Sequence, residues 1–295
     1  MNKKELSVGA LEKWSQVYDI KGCEQEKHDL ALIIENQSLF NKFREDQSKR
    51  TEHVAFLVYS KWIIKNLVSV QPMIGPIAEV FYCKFNYDEE TKKSDVLLRN
   101  EEVAAHAVKL KTLHVNDNEY DDEEFASIIA NEITRSVLHD LINNAATRGN
   151  CEGEGNSLES QIHLISNIID KKTLLGKGNW IVTSLELAER LLETELNSKE
   201  EIFYAGSHKD TQDVYVDAQF PKNKILVGLR GKEIDKQEKP LWYYTAGYQY
   251  CPYVPLCDTS NIFPDSPFRS GYLVRFGKNL PQTGSKFYGV INILD

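Results

Sequence analysis

One stretch constrains this chain more than any other. Phe125, Ile128, Ile129, Ile133, Val137, Leu141 and Ala145 recur at three- and four-residue spacing without interruption, which lays them on one face of an α-helix. Asp121, Asp122, Glu123 and Glu124 open the same stretch, where the positive end of the helix dipole favours carboxylates. Arg148-Gly149 is the expected stop. A helix over 121–147 is on the order of 40 Å long, well beyond the average globular helix. It predicts a structural spine along which other elements are arrayed.

Two amphipathic helices are expected before it, over 24–47 (Leu30, Ile33, Ile34, Gln37, Phe40) and 52–67 (Val54, Leu57, Val58, Trp62, Ile64). Val70-Gln71-Pro72-Met73-Ile74-Gly75-Pro76 ends helicity, because two prolines and a glycine cannot sit inside a helix. From Val80 the pattern alternates, with Phe81, Cys83, Phe85 and Tyr87 on one side and Val80, Tyr82, Lys84 and Asn86 on the other. A charged tip (Asp88, Glu89, Glu90, Lys92, Lys93, Asp95) and a second extended run at about 102–115 complete a long ribbon. Two strands alone are marginal in water, so the ribbon is expected to rest on another surface.

After the spine, residues 151–157 read as a flexible link and 157–171 as a helix. Trp180-Ile181-Val182 reads as a strand feeding Ser184, the expected N-cap of a helix over 185–195. Strands are expected at 202–205, 213–217, 224–229, 241–248, 271–276 and 286–293. Helices, ribbon, spine, mixed segment and closing strands amount to α+β, without the regular alternation of a parallel α/β sheet. At 295 residues the chain has room for two domains or one large one.

The formal charge is 35 − 44 = −9, which disfavours a basic nucleic-acid reader. The most apolar stretch, 54–81, is broken by Lys61, Lys65, Pro72, Gly75 and Pro76, so no membrane span is expected, and Glu5, Glu12 and Lys13 interrupt any N-terminal signal. Cys23, Cys83, Cys151, Cys251 and Cys257 form no CxxC and are expected to be reduced thiols. Gly176-Lys177-Gly178 lacks the rest of a phosphate loop, the histidines form no HExxH, and no serine sits in GxSxG. The acids of 116–124 lack calcium-loop spacing. No catalytic residue, cofactor site or metal site is therefore expected.

Several blocks carry a family resemblance. Val70 to Pro76 resembles the Val-Gln-Pro-Met-Thr-Gly-Pro motif of the major capsid proteins of T-even-type tailed myoviruses, through Gln71, Pro72, Met73, Gly75 and Pro76, with Ile74 in place of threonine. Glu35-Asn36-Gln37 is similar to the family's Leu-Leu-Glu-Asn-Gln. Val214-Tyr215-Val216-Asp217 resembles its Val-Tyr-Val-Asp-Pro, through Tyr215 and Asp217, and Leu226-Val227-Gly228 its Leu-Val-Gly. Tyr250 to Leu256 is similar to Tyr-Ala-Pro-Tyr-Val-Pro-Leu, through Pro252, Tyr253 and Pro255, with Cys251 as the change. Arg275-Phe276-Gly277 stands where the family has Arg-Tyr-Gly, sharing Arg275 and Gly277. Six blocks in family order cover nearly the whole chain.

The resemblance implies the capsid fold of tailed phages and herpesviruses, with N-terminal arm, E-loop ribbon, spine-helix peripheral domain and axial domain. Its expected divisions are 1–70 for the arm and helices, 71–115 for the E-loop, 116–149 for the spine, 150–248 for the axial domain and 249–295 for the peripheral return strands. It implies a structural protein that self-assembles into hexamers and pentamers of an icosahedral virion shell around double-stranded DNA, formed in the host cytoplasm without a membrane. Expected partners are further copies of the chain, scaffold, portal, vertex and decoration proteins. The charged tip supplies the expected subunit contacts. Many family members carry an insertion for which this chain has no room, and many lose a propeptide. Ile33-Ile34-Glu35 suits such a cut and equally suits helix core, and a chain beginning at Met1 is expected to be uncut there. The alternatives are a vertex protein of the same fold, and an enzyme or protein-binding module built on residues 150–256.

Overall fold

The computed structural model describes residues 3–43, 50–88, 93–109, 121–152, 156–231, 245–258, 272–281 and 283–294. Its long central helix, Asp122–Asn144, begins as expected, with the Asp121 side chain accepting from the Glu124 N–H at 2.7 Å. Phe125, Ile129, Ile133, Val137 and Leu141 are all buried on its inner face. It stops earlier than the sequence predicts. Ala145 leaves helical geometry (φ −57°, ψ 125°), and Arg148-Gly149 belongs to a strand, Thr147–Glu152. That strand pairs in parallel with Tyr288–Leu294, from Thr147 opposite Gly289 to Glu152 opposite Leu294. A ladder to a partner 142 residues away outcompetes local helix propensity here, and it also replaces the flexible link expected at 151–152.

In chain order the elements are α1 Lys3–Trp14, α2 Glu24–Phe43, α3 Arg50–Lys61, α4 Ile64–Leu67, β1 Ser69–Val70, β2 Ile77–Asp88, β3 Lys93–Ala104, β4 His106–Lys109, α5 Asp122–Asn144 and β5 Thr147–Glu152. They continue as α6 Asn156–Thr173, β6 Trp180–Thr183, α7 Leu185–Leu192, β7 Ile202–His208, β8 Gln212–Asp217, β9 Lys224–Gly228, β10 Gln249–Asp258, β11 Tyr272–Asn279 and β12 Tyr288–Leu294. The helix expected over 52–67 is two pieces, because it breaks at Trp62, which is buried to 1% exposure. Helix α1 was not predicted, since among its described side chains only Ala10 and Trp14 are buried. It is held instead by Glu35 of α2, which accepts from Lys13 Nζ at 2.6 Å and Trp14 Nε1 at 2.7 Å. Ile33 and Ile34 beside it are fully buried, so this stretch is helix core.

Three sheets follow, which makes the architecture α+β. Strands β5-β12-β9-β6-β8-β7 form a mixed six-stranded sheet, β1-β10-β11-β4 a four-stranded sheet, and β2-β3 a separate two-stranded ribbon. The closing segment is divided between two of them, because β10 and β11 join the four-stranded sheet while β12 pairs with β5 and β9 in the six-stranded one. The expected boundary at 248/249 therefore does not separate the sheets. Residues 241–244 of the strand expected at 241–248 lie outside the described residues, and the strand begins only at Gln249. Ser184 does precede α7, but its hydroxyl is buried and makes no capping bond.

One apolar core runs from Trp14, Ile33 and Trp62 through Ile129 and Ile133 to Val182, Val216, Ile225 and Val290. It is closely packed at Gly228, opposite Trp180 in the β6–β9 register. A Cβ there would enter the Trp180 ring. Gly228→Ala is expected to lower stability by about 2–3 kcal/mol, the cost of overpacking a filled core. Gly9→Ala in α1 has no neighbour within 4 Å and should be neutral or stabilising by up to about 1 kcal/mol. Chemical denaturation midpoints at unchanged m-value check both.

Burial raises the phenol pKa of Tyr59, Tyr248, Tyr250 and Tyr288, with the Asp29 and Asp140 charges adding at Tyr59 and Tyr248 respectively. A raised folded pKa means the native state keeps a proton that the unfolded chain releases at about pH 10. Stability is thus fully present below that pH and declines as pH climbs above it. Absorbance at 295 nm followed alongside circular dichroism should show these phenols ionising together with unfolding, and not before it.

Candidate functional site

The ribbon is twelve consecutive cross-strand pairs, from Ile77 opposite Ala104 to Asp88 opposite Lys93. At about 3.4 Å per residue it extends on the order of 40 Å. Of the expected tip residues, Asp88 and Lys93 close the ladder and Asp95 lies opposite Asn86. Glu89, Glu90 and Lys92 lie outside the described residues, as do 110–115 of the expected second run.

The root of this ribbon is built by the prolines and glutamines that precede it. Residues 69–73 run beside β10 as a parallel edge: Ser69, Gln71 and Met73 donate their N–H groups to the carbonyls of Tyr248, Tyr250 and Pro252 at 3.1, 2.8 and 2.9 Å. Pro72, between them, has no N–H to leave unpaired. The buried Gln71 side chain then turns to the ribbon. Its Nε2 donates to the Phe81 carbonyl at 2.6 Å and to Ser69 Oγ at 3.0 Å, while its Oε1 accepts from the Phe81 N–H at 2.9 Å. One primary amide thus stands in for a missing strand residue. Pro76 adds a further tie, its carbonyl accepting from the Ala105 N–H at 2.7 Å.

Helix α2 finishes the edge of β10 in the same manner. Gln37 Nε2 donates to the Leu256 carbonyl at 2.8 Å, and its Oε1 accepts from the Leu256 N–H at 3.1 Å. Asn36 Nδ2 donates to the Met73 carbonyl at 2.7 Å. Asn36 and Gln37 were not among the site residues expected from sequence. Their signal was two adjacent amides next to the apolar run Leu30–Ile34, and burial of such groups demands partners.

Most of the motif positions converge here. Pro252 and Pro255 lie buried in β10, whose pairing with β11 shifts register between Pro252 and Val254, as strands containing proline require. Tyr253 carries Arg275 of β11 over its ring, 5.5 Å from the centroid. Met73 packs with Val80, Val103 and Cys251 in a small separate core. Gly277 faces it, and a Cβ there would clash with Val103 and lie 3.2 Å from Met73 Sδ. At Gly75 nothing demands glycine, because the nearest atom to a Cβ is the Ile77 carbonyl at 3.7 Å.

Tyr215 and Asp217 lie elsewhere, on β8 of the six-stranded sheet. Asp217 accepts from Arg135 of α5 (Nε at 3.2 Å, Nη2 at 3.0 Å) and from the Gln219 N–H at 3.0 Å. Arg135 also reaches Glu201 at 2.7 Å, so this ion-pair group fastens the long helix to the sheet edge. Burial pushes the Tyr215 phenol up to about 12.

A cleft of about 590 Å³ lies beside α6, lined among others by His163, Ser166, Lys177, Asn179, Lys209 and Gln212. Several of its polar atoms are engaged internally. Ser166 Oγ and Gln212 Nε2 both donate to the Gly178 carbonyl (3.1 and 3.0 Å), and Lys209 pairs with Glu159. Among the described residues no three His, Cys, Asp or Glu side chains are grouped to hold a metal, and no helix is long and apolar enough to cross a membrane.

Residues 122–277 match the family described as Major capsid protein Gp23. That is 277 − 122 + 1 = 156 of 295 residues, more than half of the chain. The chain belongs to the Gp23 major capsid protein family. It is a structural protein of a tailed-phage head. No curated protein matches it in sequence. Among solved structures it is similar to a chain of Mycobacterium phage Bobi (11% identity, 79% of this chain and 91% of that one, TM-score 0.47). It is similar too to a virus-like particle from Pyrococcus furiosus (11%, 81% and 96%, TM-score 0.46). A third is the capsid of an empty GTA particle (12%, 80% and 90%, TM-score 0.41).

In this capsid protein the Gln71 amide should be the strongest single tie between ribbon and body. Gln71→Leu keeps the volume but strips this partner from the half-buried N–H and carbonyl of Phe81. A loss of about 2–3 kcal/mol is expected, with faster hydrogen exchange at Phe81 and little change in α5.

Proposed function

We propose that this major capsid protein assembles into hexamers and pentamers of a closed icosahedral shell around double-stranded DNA, with the ribbon bridging to a neighbouring copy. The observation that carries this reading is the ribbon itself. A two-stranded element of this length is not stable alone, and among the described residues the chain secures it at its root. A second copy offers a surface for the rest of it. Head-to-tail contacts of this kind close into rings where the rotation permits, and many modest contacts around a lattice give collective stability. The net charge of −9 suits a wall that encloses DNA without adhering to it.

In this reading 1–70 forms the arm and helices, 71–115 the E-loop, and α5 the spine of the peripheral domain. The six-stranded sheet forms the axial domain, drawn from 150–248 together with β12. The tip residues Asp88, Glu89, Glu90, Lys92, Lys93 and Asp95 contact the neighbouring subunit. Assembly takes place in the host cytoplasm with scaffold, portal, vertex and decoration proteins as partners, and membership of a capsid protein family supports a non-enzymatic role.

Deleting residues 88–95 is expected to abolish shells while leaving a folded subunit. Negative-stain electron microscopy and sedimentation velocity read the first outcome, and circular dichroism reads the second. Normal shells from the deletion would remove the ribbon from the assembly contact.

A further inference from the structure

Gly176-Lys177-Gly178 is, as sequence, a fragment of a phosphate loop without its second half. The fold supplies other residues in its place. The three residues form one wall of the cleft of about 590 Å³ beside α6, a volume within the range that holds small molecules. His163 of α6 and Lys209 of the β7–β8 turn stand on the other walls. Three basic side chains from three elements thus border one cleft, and among the described residues that line it none is acidic. A chain of net charge −9 carries here a local field of the opposite sign. Apolar walls that include Leu175 and Leu229 concentrate it.

The walls are fixed by the chain itself. Ser166 and Gln212, 4% and 7% exposed, both donate to the Gly178 carbonyl. The Asn179 amide pairs with the N–H and carbonyl of Arg230. Gly176 has φ +121°, a conformation that only glycine adopts readily, and a Cβ on it would meet nothing within 4 Å. The backbone there is open to close approach. Leu174, Lys209 and Asp210, with φ of 59°, 50° and 55°, are three of the four non-glycine residues in the left-handed region among the described residues. All three lie in the two turns that frame this cleft, and strain of this kind clusters at ligand clamps.

We infer that the cleft binds a small phosphate-bearing anion, with Lys177 and Lys209 facing its charge and the His163 ring donating at its edge. Lysine suits this ligand as a compact point charge. Lys209 is shared with Glu159 in an exposed ion pair, an interaction of small net worth for which an incoming phosphate competes. Glu159 therefore acts against the ligand, and its removal should strengthen binding. The site lies within one chain and does not rest on the shell reading.

Isothermal titration calorimetry of the purified chain with inorganic pyrophosphate at low ionic strength is the test. Saturable binding at one site per chain is expected. Lys177→Gln and Lys209→Gln should each weaken it about fivefold or more, and Glu159→Gln should tighten it about threefold. Lys222→Gln, exposed and outside the cleft, should leave it unchanged. All four positions are exposed, so circular dichroism should show an unaltered fold. No saturation up to roughly 1 mM pyrophosphate, a weak affinity by any standard, overturns the inference. Equal losses from Lys177→Gln and Lys222→Gln also overturn it, since they would mark a general attraction to surface charge. A short DNA duplex offers the same phosphate chemistry from another source. It should fail to displace pyrophosphate, and displacement that Lys177→Gln abolishes would give the cleft to nucleic acid and overturn a small ligand.

Discussion

The side chains of Gln37 and Gln71 each present one donor and one acceptor to the backbone N–H and carbonyl of a single residue, Leu256 in one case and Phe81 in the other. A strand edge inside a protein cannot be left open, because each unpaired group costs free energy comparable to a lost hydrogen bond. Strand β10 has such an edge. It is covered for a few residues by the backbone of 69–73 and then by an amide from a helix. The same amide chemistry fastens β2 to that edge. Where the helices sit and where the ribbon leaves both follow from this one seam.

The seam divides the molecule mechanically. On one side stand α5 and the six-stranded sheet, joined by a continuous apolar core and by the Arg135–Asp217–Glu201 group. That part has little freedom, as the closeness of Gly228 to Trp180 illustrates. On the other side a ribbon on the order of 40 Å long stands on a small core of Met73, Val80, Val103 and Cys251. A rigid body with a reaching element rooted by a few strong bonds suits a subunit that must hold its own shape and still engage its neighbours.

Much of this was legible from sequence, for identifiable reasons. The stripe from Phe125 to Leu141 needs only the helical period, and the Asp121 cap needs only the next three residues. The alternation from Val80 to Tyr87 needs only the strand period. Helix α1 was not legible, because its hold depends on Glu35, more than twenty residues away, receiving Lys13 and Trp14. The end of α5 was misread, because Arg148-Gly149 has the composition of a helix stop, while its conformation is set by β12. Ser184 has the right residue type in the right position, yet its hydroxyl bonds to no backbone group there.

The sequence by itself determined the helical spine, the ribbon, the α+β class and the motif blocks that mark a capsid protein. Those are local patterns, written in spacings of two, three and four residues. Only the tertiary structure decided that β12 crosses into the six-stranded sheet. It also decided that Gln71 and Gln37 act as surrogate strand residues. Each of these depends on a partner far along the chain. A residue's neighbours in sequence limit which conformations it can take, whereas burial and hydrogen-bond pairing are settled by whatever the completed fold places against it.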